Sequence, residues 1–147
     1  MKKCLFFFGL FTMLLTPNLT YAQTLTVEEF KGDLNIHSSC GMWLFKKNNR
    51  SKNSYIFTST STTSNSTSTQ MKINGKIVKF KEIKNKKNPK VKNYLADFVS
   101  QDGKIKVRVN AEFGKFHEES VQIKKGIIQV KQDNQEIKID VIGGAGC

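Results

Sequence analysis

The sequence predicts an all-β domain: an antiparallel sandwich or a small barrel of about eight short strands with one disulfide. Two observations carry this prediction. Two pairs of turn residues each lie between runs of alternating apolar and polar residues, and further strand-sized runs follow at spacings of about 8 to 12 residues. No long run with helical periodicity competes with them. The pattern leaves the choice between barrel and sandwich open.

The first 22 residues have the pattern of a secretory signal peptide. Two lysines precede the apolar stretch 4–15, and small residues ending at Ala22 mark the predicted cleavage site. As a helix the stretch would cover about 18 Å, short of the roughly 30 Å hydrocarbon core of a membrane. We therefore expect signal peptide 1–22, a single β-domain over 23–147, and no transmembrane span after cleavage. The expected location is periplasmic or secreted.

Removal of the predicted signal peptide leaves two cysteines, Cys40 and Cys147. An even count in an oxidising compartment favours one disulfide between them. Small residues precede each cysteine, including the run 143–146, and these let two backbones approach closely. The predicted bridge closes a loop of about 107 residues, for which chain entropy gives at most roughly 4 to 5 kcal/mol of stabilisation.

The best-specified element is a hairpin turning at Asp102-Gly103, a pair typical of type I′ turns. That turn places Phe98 opposite Val107 and Tyr94 opposite Ala111, so one face of the hairpin is apolar. The polar residues that this register places on the other face are Asp97, Lys106 and Arg108.

A second hairpin is predicted to turn at Asn74-Gly75. This turn places Met71 opposite Val78 and Thr69 opposite Phe80, again with the larger apolar side chains on one face. Lys79 and Lys81 alternate with them and are therefore expected on the face opposite the core.

Weaker patterns complete the predicted sheet. The remaining strand-sized runs cover 42–45, 54–57, 121–123, 128–130 and 137–141. Lys125-Gly126 and Asp133-Asn134 are interpreted as the turns between the last three runs. Residues 26–29 form either a strand or a capping box that opens one helical turn ending at Gly32.

The segment 58–69 consists of eleven serines or threonines and one asparagine. Alternating threonine and serine suit an exposed strand pair or a long flexible loop. We favour a solvent-exposed loop or a frayed hairpin tip over a binding ledge.

Positive charge is concentrated in residues 46–92, which contain 13 basic residues and one acidic residue, whereas residues 93–147 carry eight of each sign. Part of this excess reflects a lysine-rich composition with a solvated face. The functional interpretation is contact with an anionic envelope surface or an acidic protein. The lysines assigned to this surface are Lys76, Lys79, Lys81, Lys84, Lys86, Lys87, Lys90 and Lys92.

Nucleic acid is disfavoured as a partner. Aromatic residues do not interleave with the densest charge, as base stacking would require. Lysine also outnumbers arginine 22 to 2, which favours diffuse attraction over bidentate phosphate recognition.

Catalysis is not predicted. The two histidines, His37 and His117, lie eighty residues apart, and neither belongs to a catalytic or zinc-binding motif. We therefore expect a binding protein without enzymatic activity, cofactor or metal. The alternative is a periplasmic immunity or inhibitor protein that blocks a toxin or hydrolase with a loop. A small exported β-domain with one bridge is similar in architecture to periplasmic lysozyme inhibitors and to immunity proteins, with no shared motif.

Overall fold

The computed structural model describes residues 24–31, 40–49, 54–61, 67–83 and 93–147, and the regular structure in these ranges is β-strand. The strands are β1 (Val27–Glu28), β2 (Phe30–Lys31), β3 (Cys40–Lys46), β4 (Ser54–Tyr55), β5 (Phe57–Ser61), β6 (Thr67–Ile73), β7 (Lys76–Ile83), β8 (Asn93–Ser100), β9 (Ile105–His117), β10 (Ser120–Gln132) and β11 (Gln135–Gly146). The signal-peptide prediction for 1–22, His37 and five of the predicted surface lysines lie outside these residues. Those lysines are Lys84, Lys86, Lys87, Lys90 and Lys92.

Eight of the strands form a closed antiparallel barrel, which confirms the all-β prediction and answers the question of barrel or sandwich. β3 and β5 to β11 follow one another around the barrel, and β11 pairs with β3 to close it. The disulfide and the β9–β10 turn lie at one end, called here the disulfide end. The turns that follow β6, β8 and β10 lie at the opposite end, because consecutive strands alternate in direction.

Alternate residues of each strand fill the barrel interior. On β9, Ile105, Val107, Val109 and Ala111 are buried while the residues between them are exposed. Phe57 and Phe98 meet in the centre with their rings edge to face, 5.4 Å apart between centroids. The interior is therefore a packed apolar core, as the diameter of an eight-stranded barrel allows.

Both predicted hairpin registers are confirmed. Tyr94 lies opposite Ala111 and Phe98 opposite Val107 in the β8–β9 hairpin. In the β6–β7 hairpin the predicted pairs also form, and Asn74 and Gly75 adopt φ angles of 49° and 78°, as a type I′ turn requires.

The type I′ prediction for Asp102-Gly103 is wrong. Gly103 has a φ of 76°, but Asp102 is not among the described residues with positive φ. The backbone N–H of Gly103 donates instead to the carbonyl of Ser100, 2.9 Å away, and the Asp102 carboxylate accepts from the Ser100 hydroxyl and the Lys104 N–H. These side-chain bonds hold a different turn without changing the register of the strands.

The turn predicted at Lys125-Gly126 is also wrong, because β10 continues through it. The pairing register shifts just before this position, between residues 121 and 126, against both neighbouring strands, which marks a β-bulge. Gly126 sits where a Cβ would lie 3.0 Å from the Asn110 carbonyl oxygen and from Val141. The glycine signals close backbone approach inside a strand rather than a chain reversal.

Much of the serine- and threonine-rich segment is barrel wall, which corrects the prediction of an exposed loop. Residues 58–61 belong to β5 and residues 67–69 to β6, and the two strands pair. Thr58 and Thr69 are only 1% and 2% exposed, and the hydroxyls of Ser59 and Thr69 bond across the strands at 2.9 Å. Hydroxyl pairing satisfies these polar groups inside the sheet. Residues 62–66 lie outside the described residues.

Residues 24–28 cross the end of the barrel opposite the disulfide, and the alternative of a helical turn over 26–29 is wrong. Leu25 and Val27 are buried in the core, and the Leu25 N–H donates to the Gln135 side chain at 2.7 Å. The Glu28 carboxylate accepts from the Gly75 N–H instead of capping a helix. The extended segment thus joins the β6–β7 turn to the start of β11.

The predicted disulfide between Cys40 and Cys147 is present, with the sulfur atoms 2.02 Å apart. It lies beside the last pair of the closing ladder, where Gly41 faces Gly146. The covalent bond and the closing strand pair therefore occupy the same edge of the barrel.

We expect the double substitution Cys40→Ser and Cys147→Ser to lower the free energy of unfolding by about 2 to 5 kcal/mol, because the unfolded chain regains the freedom of a long loop. The barrel itself should still form, since the β3–β11 hydrogen bonds remain. Urea unfolding of the variant and of reduced wild-type protein measures this. Equal stability of the oxidised and reduced forms would contradict it.

We expect Asp102→Asn to reduce stability in a pH-dependent manner. The hydrogen bonds from Ser100 and Lys104 hold the pKa of the Asp102 carboxyl below its ordinary value of 3.8. A lowered pKa stabilises the fold above pH 3.8, and this contribution is lost as the pH falls through the lowered pKa. Urea midpoints from neutral to strongly acidic pH should show wild type and variant converging in acid. A gap that is independent of pH would argue against this role.

Candidate functional site

The structure describes three of the eight lysines assigned to the cationic surface, and these three do not all lie on the same face of the sheet. Lys79 and Lys81 lie on the outer face of β7, exposed, as predicted from their alternation with the buried Phe80. Lys76 pairs with Ile73 on the inward face at the end of the barrel, and its side chain is exposed there. Lys76 is therefore separated from the other two by the pleat of the strand.

The outer lysines of β7 continue into a row of cations on β9 and β10. Lys81 pairs with Val99, Val99 with Lys106, and Lys106 with Lys131, so the row crosses four strands. Neighbouring strands lie about 4.8 Å apart, which brings Lys106 and Lys131 side by side. We call the outer cations of β7 to β10 that lie between Lys125 and the end opposite the disulfide, Lys125 included, the cationic face. Its members are Lys79, Lys81, Lys106, Arg108, Lys125 and Lys131.

The same face carries two carboxylates, Asp97 and Glu112, both at outward positions. Arg108 donates to both oxygens of Asp97, from Nε at 2.6 Å and from Nη2 at 3.1 Å, and this contact raises the pKa of the guanidinium. Lys131 pairs with Glu136 on β11 at 2.9 Å. Within the described residues, Lys79, Lys81 and Lys106 make no ion pair.

A shallow groove of about 320 Å³ crosses the cationic face. Its outward-facing lining consists of Ile83, Asp97, Lys106, Arg108, Gln129 and Lys131. The Asp97–Arg108 fork lies in the groove, flanked by two lysines. An anionic group in the groove would lie close to Lys106 and Lys131, and the carboxylate of the groove is already paired with Arg108.

Apolar side chains stand exposed among these charges. Leu95, Ile83 and Ile127 are 56%, 44% and 40% exposed. Leu95 pairs with Asn110, which pairs with Ile127, and Ile83 pairs with Asp97, the next outward residue after Leu95. These three side chains are therefore neighbours on one surface, and we call them the exposed apolar cluster.

In the described residues, the opposite side of the barrel carries little charge. Among the described outward residues of β3, β5 and β6 the single ionisable side chain is Lys72, which is paired with Glu28 at 2.8 Å. This side carries Trp43, the chain's one tryptophan, whose ring covers the backbone of Gly144. A second depression of about 270 Å³ lies beside it, between Phe45 and Lys124. The described residues of the barrel thus differ in charge between its two sides.

The described residues that could take part in catalysis lie apart. His117 flanks the β9–β10 turn formed by Glu118-Glu119, facing Ser120. Burial, and then the nearby Glu82 carboxylate, raise the pKa of Tyr94 to about 12. No group of three or more histidine, cysteine or acidic side chains in the described ranges is placed to hold a metal ion. Those ranges also contain no helix long and apolar enough to span a membrane.

Sequence reasoning missed the β9 and β10 members of the cationic face. Residues 93–147 have no net charge, so their sum concealed the segregation. The alternation of inward and outward residues along a strand could have identified them, since the predicted β8–β9 register already placed Lys106 and Arg108 on the outward face. The same alternation places Lys131 outward, because it follows the inward Val130. Lys125 lies in the predicted turn, and its position depends on the bulge before Gly126, which the sequence pattern did not reveal.

Comparison with known proteins supplies no family. No protein-family model matches the chain, and neither does any curated protein or any solved structure. What the chain does is therefore inferred from its own surface chemistry.

Proposed function

We propose that this chain is an exported binding protein whose cationic face contacts an anionic component of the cell envelope. The observation that carries the proposal is the gathering of outward lysines from β7, β9 and β10 on one side of the barrel. Lys79, Lys81 and Lys106 offer charges that no described carboxylate neutralises. The proposal assigns no catalytic step, cofactor or metal.

The chemistry of lysine supports attraction by a diffuse field. An ammonium group is a compact, strongly hydrated charge on a flexible stem, and it does not need a partner of fixed geometry. The face has one arginine, and that arginine is held by Asp97. A surface of this kind suits phosphate or carboxylate groups arrayed on an extended surface.

Export is supported by two independent features. The first 22 residues have the composition of a secretory signal peptide. The Cys40–Cys147 disulfide is of a kind that persists in oxidising environments such as the periplasm or the extracellular space. An exported protein with a cationic face would meet the negatively charged layers of the envelope.

The alternative of an immunity or inhibitor protein depends on a binding loop. Residues 32–39, 50–53, 62–66 and 84–92 lie outside the described residues, so no contact described above favours one of these segments. Salt separates the two proposals, because 1 M salt screens exposed charges beyond about 3 Å while an interface with a desolvated core persists. An envelope protein retained on the chain at that salt concentration would favour the alternative.

Charge reversal on the face tests the proposal. We expect Lys81→Glu with Lys106→Glu to weaken binding to heparin and to phosphatidylglycerol vesicles by at least 25-fold, since each lysine near an anionic surface contributes about 1 kcal/mol. Lys31→Glu with Lys47→Glu is the matched control, because it changes the net charge equally at exposed lysines on β2 and just after β3, away from the face. Equal weakening of binding by both pairs of substitutions would mean that only net charge matters, and it would refute a specific role of the cationic face in binding.

Substitution of Asp97, the carboxylate in the groove, is expected to strengthen anion binding rather than weaken it. We expect Asp97→Asn to tighten binding to the same anionic probes by about fivefold, because it removes a negative charge and releases Arg108. The free energy of unfolding should change by less than about 1 kcal/mol, since the ion pair is exposed. Sedimentation with vesicles and urea unfolding measure the two effects. Weaker anion binding by a stable variant would show that Asp97 has another role.

A further inference from the structure

We propose that the anionic component is the lipid bilayer itself, and that the exposed apolar cluster enters its headgroup region while the surrounding lysines contact lipid phosphates. This inference rests on the proposed function, because it names the partner of the same face. It assigns a role to Ile83, Leu95 and Ile127, which attraction by charge alone leaves unexplained.

The placement of the cluster supports this role. Leu95 and Ile127 lie in one row across β8, β9 and β10, with Asn110 between them, and Ile83 lies diagonally beside Leu95 on β7. Single exposed aliphatic side chains are common on protein surfaces, whereas neighbouring ones often mark an interaction site. The cations closest in register, Lys81 on β7, Lys125 on β10 and Arg108 on β9, surround the cluster.

Apolar insertion and lysine attraction act together at a membrane surface. Burial of aliphatic area contributes about 25 cal/mol per Å², and each lysine close to an anionic leaflet adds about 1 kcal/mol. Lysine stems can lie along the apolar boundary while their ammonium groups reach the phosphates. Either contribution alone gives weak binding, and their sum gives reversible attachment of the kind seen for peripheral proteins.

The composition of the face favours a membrane over an acidic protein. Protein interfaces are enriched in tyrosine, tryptophan and arginine at their centres and depleted in lysine. Here the centre holds three aliphatic side chains with Asn110 between two of them, and most of the cations around it are lysines, although Asp97 and Glu112 also lie beside it. The single tryptophan lies on another part of the barrel. A soluble polyanion, in turn, would gain nothing from exposed leucine and isoleucine.

The barrel geometry fixes the orientation of the bound protein. Counting around the closed sheet, β8 lies four strands from β3 in either direction, so the two strands occupy opposite sides. If Leu95 on β8 enters the membrane, Trp43 on β3 faces away from it. The tryptophan therefore reports directly on which side of the barrel makes contact.

Serine substitution of the cluster provides the first test. We expect Leu95→Ser with Ile127→Ser to weaken binding to phosphatidylglycerol vesicles by about tenfold or more, as loss of buried aliphatic groups predicts. Binding to heparin should be unchanged, because it depends on the lysines. Ile77→Ser is the control: Ile77 is 50% exposed but lies about 20 Å along β7 from Ile83. All variants are made in the full sequence and checked by urea unfolding.

Binding to vesicles and binding to heparin together distinguish a failure of this inference from a failure of the proposed function. Unchanged vesicle binding by the serine variant, with lysine-dependent binding to both probes retained, would overturn insertion and leave the proposed function intact. Lysine-dependent binding to heparin but none to vesicles would identify a non-lipid polyanion and also overturn the inference. Loss of lysine dependence with both probes would refute the proposed function itself. Salt-resistant capture of an acidic envelope protein through Leu95 would assign the cluster to a protein partner instead.

Tryptophan fluorescence provides a second test that does not depend on weakened binding. We expect brominated phosphatidylglycerol to leave the emission of Trp43 unquenched in the bound wild-type protein. In the Trp43→Phe background, Leu95→Trp should give emission that is blue-shifted on binding and quenched by brominated lipid. Quenching of Trp43 with no quenching at position 95 would place the opposite side of the barrel on the membrane and overturn the proposal.

Discussion

The structure depends on the close approach of β11 to β3, which closes the sheet. At Gly143 a Cβ would lie only 2.0 Å from the Trp43 carbonyl oxygen, so no larger residue fits without moving the backbone of the closing ladder. The disulfide between Cys40 and Cys147 joins the same two strands at their ends. Closure removes the exposed strand edges and encloses the apolar core.

In a closed sheet, alternate residues of each strand point into the core or out to solvent. This explains how residues 93–147, which have no net charge, can contribute lysines to a cationic face. On β9 and β10 the lysines occupy outward strand positions. Four of the acidic residues, Asp102, Glu118, Glu119 and Asp133, lie at or beside chain reversals at the barrel ends. The charges are thus sorted by their place in the fold rather than by sequence region.

Sequence patterns could predict local pairing and could not predict most long-range effects. Asn74-Gly75 and Asp102-Gly103 fixed two registers because turn position and apolar alternation agreed there. The turn interpretation of Gly126 failed because this glycine lies inside a strand, where Asn110 and Val141 leave little room for a Cβ. The sequence did not predict the burial of Thr58 and Thr69, because a polar side chain can be buried where neighbouring strands surround it. For Thr69 a neighbouring strand also supplies the Ser59 hydroxyl as a hydrogen-bond partner. For the candidate site, the alternation of apolar and polar residues correctly predicted that Lys79 and Lys81 face outward. The lysines that lie near them across β8 could not be predicted, because their position depends on the full strand order.

Barrel closure also joins two segments that lie far apart in the chain. β3 and β11 are separated by about a hundred residues, and during synthesis β3 leaves the ribosome long before its partner exists. Until β11 arrives, β3 lacks its closing neighbour and the Cys40 thiol has no Cys147 to join. Contacts between such distant segments form slowly, since a large loop must first be brought together. A chain that still lacks β11 therefore cannot close its barrel or form its disulfide.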